Sequence, residues 1–168
     1  MKRILLIILL AAVSMCAAAQ SGAQALKALV DSNRVSFNYV INSAGKTAVN
    51  AEGTALIDGD CYHITGNGLD IWCDGTTKWT VDSEAKEVYV EGADSREFLA
   101  NPALFLDKVE GLKVSDKNVS GIYKDPSQSV QFSFKLSSIA KKPLSGSPQG
   151  FSFVTGALGS DWVVTDLR

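Results

Sequence analysis

The chain has 168 residues and a mass of 17.9 kDa, which suits one domain behind a removable leader. Apolar residues make up 46% and charged residues 20%, a globular composition, and Lys+Arg 16 against Asp+Glu 18 gives no cationic surplus for displacing counterions from nucleic acid. His63 is the sole histidine, so Ser-His-Asp, HExxH and multi-His metal sites are impossible or hard to build; no enzyme activity, metal or cofactor is expected.

Lys2 and Arg3 precede an unbroken apolar run from Ile4 to Val13, followed by small residues. Ten apolar residues at 1.5 Å rise cover about 15 Å, half of a roughly 30 Å hydrocarbon core. This pattern predicts a secretory signal peptide over 1–19, cleaved near Ala19, and a mature domain over 20–168. Losing Lys2 and Arg3 leaves 14 basic against 18 acidic residues. Val13-Ser14-Met15-Cys16 also suggests a lipobox acylated at Cys16, but bulky Met15 stands where a small residue is wanted, so simple cleavage is preferred.

Ala23 to Asn33 carries Ala25, Leu26, Leu29 and Val30 at helical spacing. Val35 to Ile41 then alternates with period two, which predicts a strand presenting Val35, Phe37, Tyr39 and Ile41 together. A turn at Ser43 to Lys46 leads to a return strand over Val49 to Ile57, and Asp58-Gly59-Asp60 turns again. Cys61 to Thr65 and Leu69 to Cys73 flank Gly66-Asn67-Gly68, and strands over Lys78 to Val81 and Glu87 to Glu91 follow. Such closely spaced strands predict an antiparallel meander or barrel. Ser95 to Val109 interrupts it as a helical or looped insert divided by Pro102. Val119 to Lys124 and Val130 to Leu136 resume the strands, Lys141 to Gly150 reads as a loop, and Phe151 to Phe153 and Trp162 to Val164 close the chain.

Three stretches carry a resemblance: Leu69 to Val81, with its spaced Trp72 and Trp79; Asn101-Pro102-Ala103-Leu104-Phe105-Leu106; and the terminal Val164-Thr165-Asp166-Leu167-Arg168. Their order and spacing over the mature chain resemble the LolA-like family of periplasmic lipoprotein carriers, in its shorter Bacteroidetes-type form. The resemblance implies a mainly β (α+β) fold: an antiparallel unclosed β-barrel, or half-barrel, with short helices covering the concave face. It further implies a periplasmic monomer that carries acylated lipoproteins or lipids from an inner-membrane release complex to an outer-membrane acceptor. The proteobacterial carriers of that family place an arginine just after the strand corresponding to Thr54–Ile57; here that stretch reads Asp58-Gly59-Asp60, so a release cycle built on that residue does not carry over.

Carrying an acyl chain through water needs an apolar cavity, worth about 0.8 kcal/mol per sequestered methylene. Candidate lining residues are Phe37, Tyr39, Ile64, Ile71, Trp72, Trp79, Val81, Val88, Val90, Phe132, Phe134 and Phe153, with Phe151 of like character. Alternation alone equally suits the filled core of a closed sandwich. Within the insert, Phe98, Leu99, Leu104 and Phe105 are candidates for a lid over the open side.

A three-residue loop at Gly66-Asn67-Gly68 would set Thr65 opposite Leu69, His63 opposite Ile71 and Cys61 opposite Cys73, about 4.5–5.5 Å apart at Cα, which is within disulfide range. A Cys61–Cys73 disulfide is therefore expected in an oxidising compartment, the alternatives being two free thiols or a register slip. In the same register Cys61, His63 and Cys73 would share a face, but a zinc site there lacks a fourth ligand. Asp58-Gly59-Asp60 lacks the loop of a calcium site and reads as a turn, Asn118-Val119-Ser120 matches a glycosylation sequon, and Asp166 with Arg168 suggests a local ion pair. Two functions follow: an acyl-chain carrier, or a non-enzymatic envelope binding module tethered through Cys16.

Overall fold

The computed structural model describes residues 24, 27–44, 50–94, 109–124, 131–145 and 147–168. The expected leader, Cys16 and the Phe98, Leu99, Leu104 and Phe105 lid lie outside them. One sheet organises the described chain, with ten strands: β1 (Asn33–Ala44), β2 (Asn50–Asp58), β3 (Cys61–Gly66), β4 (Leu69–Asp74), β5 (Thr77–Asp82), β6 (Glu87–Gly92), β7 (Val109–Val114), β8 (Asn118–Lys124), β9 (Gln131–Pro143) and β10 (Val163–Asp166). Their order is β10-β6-β5-β4-β3-β2-β1-β9-β8-β7, so the sheet is unclosed, with β10 and β7 at its edges. The fold is mainly β with very little helix. Residues 27–32 are helical and run directly into β1, and Leu29 and Val30 pack against the sheet.

Alternation and turn chemistry account for β1 to β6, an antiparallel meander. The β3–β4 turn holds Asn67 at φ 53° and Gly68 at φ 80°, left-handed values that an Asn-Gly pair accepts in a two-residue hairpin. Asn67 also ties this turn to β2, accepting from the Glu52 backbone N–H at 3.1 Å and donating to the Asn50 carbonyl at 2.9 Å. The two-residue turn pairs Gly66 with Leu69 and Tyr62 with Cys73. This register is one residue away from that expected of a three-residue loop.

Several boundaries differ from the sequence expectation, beginning with β1, which takes in Asn33, expected in the helix, and Ser43 and Ala44, expected in a turn. Val109 opens β7 instead of ending the insert, and β9 continues through Lys141 and Lys142 to Pro143. Phe151 to Phe153 is not a strand, and β10 begins at Val163, one residue after Trp162. β10 also runs parallel to β6, the one departure from antiparallel pairing. A long connection over 144–162 makes this possible by crossing the sheet before its chain enters β10.

In β9 a bulge opposite Phe37 shifts the register with β1, and Ser138 takes φ 56°. The extra residue returns Ile139 to the side where Val35 and Val119 are buried. Another close fit lies at the paired Gly53 and Gly66. A Cβ on Gly66 would stand 2.4 Å from both the Glu52 carbonyl oxygen and Tyr39 Oη, so the glycine makes room for the tyrosine, whose hydroxyl points to the Thr65 carbonyl at 3.4 Å.

Candidate apolar binding face

Directly opposed residues share a face, so the pairings sort every side chain. A first face carries Val35, Phe37 and Tyr39 of β1, Ala55 and Ile57 of β2, Tyr62 and Ile64 of β3, and Ile71 and Cys73 of β4. Across β1 it continues through Phe132, Phe134 and Leu136 of β9 to Val119 and Tyr123 of β8. Two buried clusters form there, one around Ile57, Tyr62 and Ile64 and the other around Val35, Val119 and Ile139. Phe37, Tyr39, Ile71, Phe132, Phe134 and Leu136 remain half-buried, an apolar wall across β4, β1 and β9. Tyr123 and Phe132 extend it with ring centroids 6.4 Å apart. Burial pushes the Tyr39 hydroxyl above its ordinary pKa, so it stays neutral in this wall.

At β5 and β6 the polarity of the faces inverts. Here the first face carries Lys78, Thr80, Asp82, Glu87, Tyr89 and Glu91, with Lys78 and Glu91 paired at 3.1 Å. The apolar residues Trp72, Trp79, Val81, Val88 and Val90 project from the second face, where Phe153, Leu158 and Trp162 of the 144–162 connection cover them. The expected cavity set therefore divides. Phe37, Tyr39, Ile64, Ile71, Phe132 and Phe134 share the first face, whereas Trp72, Trp79, Val81, Val88, Val90 and Phe153 form a separate core behind the sheet. One wall cannot hold all twelve, because neighbouring Ile71 and Trp72 of one strand point opposite ways. Their adjacency was the signal that sequence reasoning passed over.

The 144–162 connection is anchored by polar contacts as well as by its aromatics. Asp58, expected only as a turn residue, has a side chain 1% exposed and accepts from the Ser145 backbone N–H at 3.1 Å and from the Ser145 hydroxyl, with Arg34 Nη1 at 3.7 Å. The Arg34 guanidinium also lies over the fully buried Phe151 ring, 5.4 Å from its centroid. Asp74 Oδ1 accepts from Thr76 N and Oγ1 and from Thr77 N, and Asp74 Oδ2 takes the Ser152 hydroxyl at 3.4 Å. Burial alone would raise the Asp74 pKa, but these hydrogen bonds outweigh it and hold the carboxyl below its ordinary value.

Cys61 and Cys73 are not bridged and lie on opposite faces of the sheet, Cys61 opposed to Asp74 and Cys73 to Tyr62. The expected bridge does not form in this register, and the Cys61, His63 and Cys73 arrangement is split for the same reason. Among the described residues no group of three potential metal ligands converges. His63 instead stacks on Trp72 with ring centroids 3.5 Å apart, its Nε2 lying 3.2 Å from Asp70 Oδ1. Beside it, Ser36, Phe37, Asn38, Thr54, Ala55, Leu56, His63 and Ser138 line an open depression of about 300 Å³. Asp166 and Arg168 form the expected local pair at 2.7 Å, and hydrogen bonds from Arg168 hold the Asp166 carboxyl at about 2.

No protein-family model matches the chain, and no curated protein matches it.

Proposed function

We propose that this protein carries acyl chains, binding those of lipoproteins or related lipids against the first face of its sheet. The observation that supports this most is the half-buried apolar wall of Phe37, Tyr39, Ile71, Phe132, Phe134 and Leu136 on an unclosed sheet. An open apolar face is what a reversible carrier needs, since a filled sandwich core leaves no surface for cargo. In this reading the sheet coils into a half-barrel with the first face concave, and helical segments cover it in the cargo-free state. The resemblance to periplasmic carriers adds the compartment, a membrane-bound donor and an acceptor in the outer membrane. Asp58 anchors the 144–162 connection, so release here works without a basic residue at that turn.

Displacement of a fluorescent fatty-acid probe by a synthetic lipopeptide tests the reading. Saturable probe binding, displaced by the acylated peptide and not by the same peptide without its acyl group, is expected. Phe134→Ala and Phe132→Ala should weaken it. No saturable binding of any acylated ligand would overturn the carrier reading in favour of an envelope binding module, and the intact mass of the exported protein would then show whether Cys16 carries a lipid tether.

A further inference from the structure

Charge is segregated along the chain, and the strand order turns that into a segregation in space. Residues 50–94 carry ten acidic and two basic side chains, whereas residues 109–143 carry six lysines against three acidic residues. Because β9 returns to pair with β1, the basic strands β7 to β9 lie on one side of β1 and the acidic strands β2 to β6 on the other. The sheet thus has a positive wing and a negative wing.

On the second face the two wings differ again. Over β5 and β6 the 144–162 connection buries that face. On the basic wing, Lys113 of β7 and Lys135 of β9 both oppose Ser120 of β8, which sets three neighbouring strands with two lysines on this face. Both lysines are exposed, and neither makes an ion pair among the described residues. Two large aliphatic side chains stand among them: Ile122, 40% exposed, two residues along β8 from Ser120, and Val40, 36% exposed, opposite Lys135 on β1. Lys124 projects from the same face and is held by Glu110 at 2.6 Å.

We infer that the second face of β7 to β9 is a docking surface for an anionic phospholipid bilayer. Exposed lysines interspersed with isolated aliphatic side chains on one face of a sheet match such a surface, where each cation gains from the negative surface potential and each aliphatic group enters the headgroup boundary. A bilayer fits better than a second copy of this chain. The carboxylates of the acidic wing are largely engaged within it: on the first face Glu87 accepts from the Tyr89 hydroxyl, Glu91 pairs with Lys78 and Asp82 accepts from the Glu84 and Ala85 N–H groups, while on the second face Asp74 is held by Thr76, Thr77 and Ser152, Asp70 lies against His63, and Glu52, opposite Val40, is exposed. The acidic wing is also repelled by anionic lipid, so the charge separation turns β7 to β9 towards the membrane. This leaves the first face of the sheet away from the surface and accessible.

Flotation of the exported protein with vesicles of equal phosphatidylglycerol and phosphatidylcholine, compared with phosphatidylcholine alone, tests the inference. Binding is expected on the anionic vesicles at low salt, and is expected to be lost as ionic strength rises. Lys113→Gln with Lys135→Gln should reduce partitioning roughly tenfold or more without changing the circular dichroism spectrum. Equal binding to both vesicle types, no binding to the anionic ones, or indifference to the double variant would overturn it. A salt-sensitive dimer in sedimentation, abolished by the same double variant, would assign the wing to a second copy instead. The inference stands apart from the acyl-carrier reading, because uptake of the fatty-acid probe by the double variant is measured without membranes.

Discussion

Ile71 and Trp72, neighbours in β4, project from opposite faces of one sheet and join different cores. β4 is where the apolar side of the sheet changes over, and it does so by being apolar on both sides. One consequence is that binding and folding are separable by face. Trp72→Ala removes a ring that stacks on His63 and packs with Phe153, at a cost of about 2–4 kcal/mol, and should leave acyl-probe affinity unchanged. Phe134→Ala on the first face should weaken the probe roughly tenfold with a smaller loss in urea midpoint. If Trp72→Ala weakens the probe as much as Phe134→Ala in folded protein, the separation by face is lost.

Asp58 is the polar anchor of the 144–162 connection. Asp58→Ala leaves the Ser145 donors without their acceptor and Arg34 without its carboxylate partner, and water can reach both in part. A loss of about 1–2 kcal/mol in urea unfolding is expected. The connection should also become a site of limited proteolysis, with new cleavage confined to 144–162. An unchanged midpoint together with an unchanged cleavage map would remove Asp58 from this role.

The strands of the meander were legible because their alternation and turn residues agree. Val35 to Ile41 needs only its period-two pattern, and Asp58-Gly59-Asp60 and Asp74-Gly75 mark turns directly. What escaped was phase. Gly66 sits next to Asn67-Gly68 and serves a two-residue or a three-residue loop equally well by composition, yet the choice moves Cys73 from one face to the other. β7 escaped because Gly111, at φ 61°, breaks the alternation of a six-residue strand, and the end of β9 because the bulge at Ser138 resets its pattern. The parallel pairing of β10 rests on contacts between residues more than seventy positions apart, such as Val163 N–H donating to the Lys86 carbonyl at 2.9 Å. For the site, the apolar residues were identifiable but their division between two faces was not, since that division depends on the register of one hairpin.

Asp74 should contribute to the acid limb of stability. Its native pKa lies below its unfolded value near 3.9, so the stabilisation is present above about pH 4 and is lost as pH falls through the native pKa. Asp74→Asn keeps an oxygen to accept from Thr76 and Thr77 but does not titrate. Urea midpoints measured from pH 6 down to pH 3 should therefore fall less steeply in the variant than in the wild type. Parallel curves would mean that Asp74 is not a contributor to acid unfolding.

The thiols report the register of the β3–β4 hairpin. With Asn67-Gly68 as a two-residue turn, Cys61 and Cys73 project from opposite faces, and their Cβ vectors cannot be bridged without moving the backbone. Thiol titration of denatured, unreduced protein beginning at Gln20 should therefore find both cysteines free. In the native state Cys73, 1% exposed, should resist alkylation until the hairpin opens. Cys61 is only partly exposed and should also react slowly at neutral pH, because burial raises its pKa and the neighbouring Cys73, Asp74, Asp58 and Asp60 add to the penalty on its thiolate. Alkylation of Cys61 should accelerate as pH rises above its ordinary range, while that of Cys73 follows unfolding. Finding no free thiol would mean that the hairpin closes through a three-residue loop, with Cys61 directly opposite Cys73. Trp72 would then move out of register with His63, and their stacked contact could not persist.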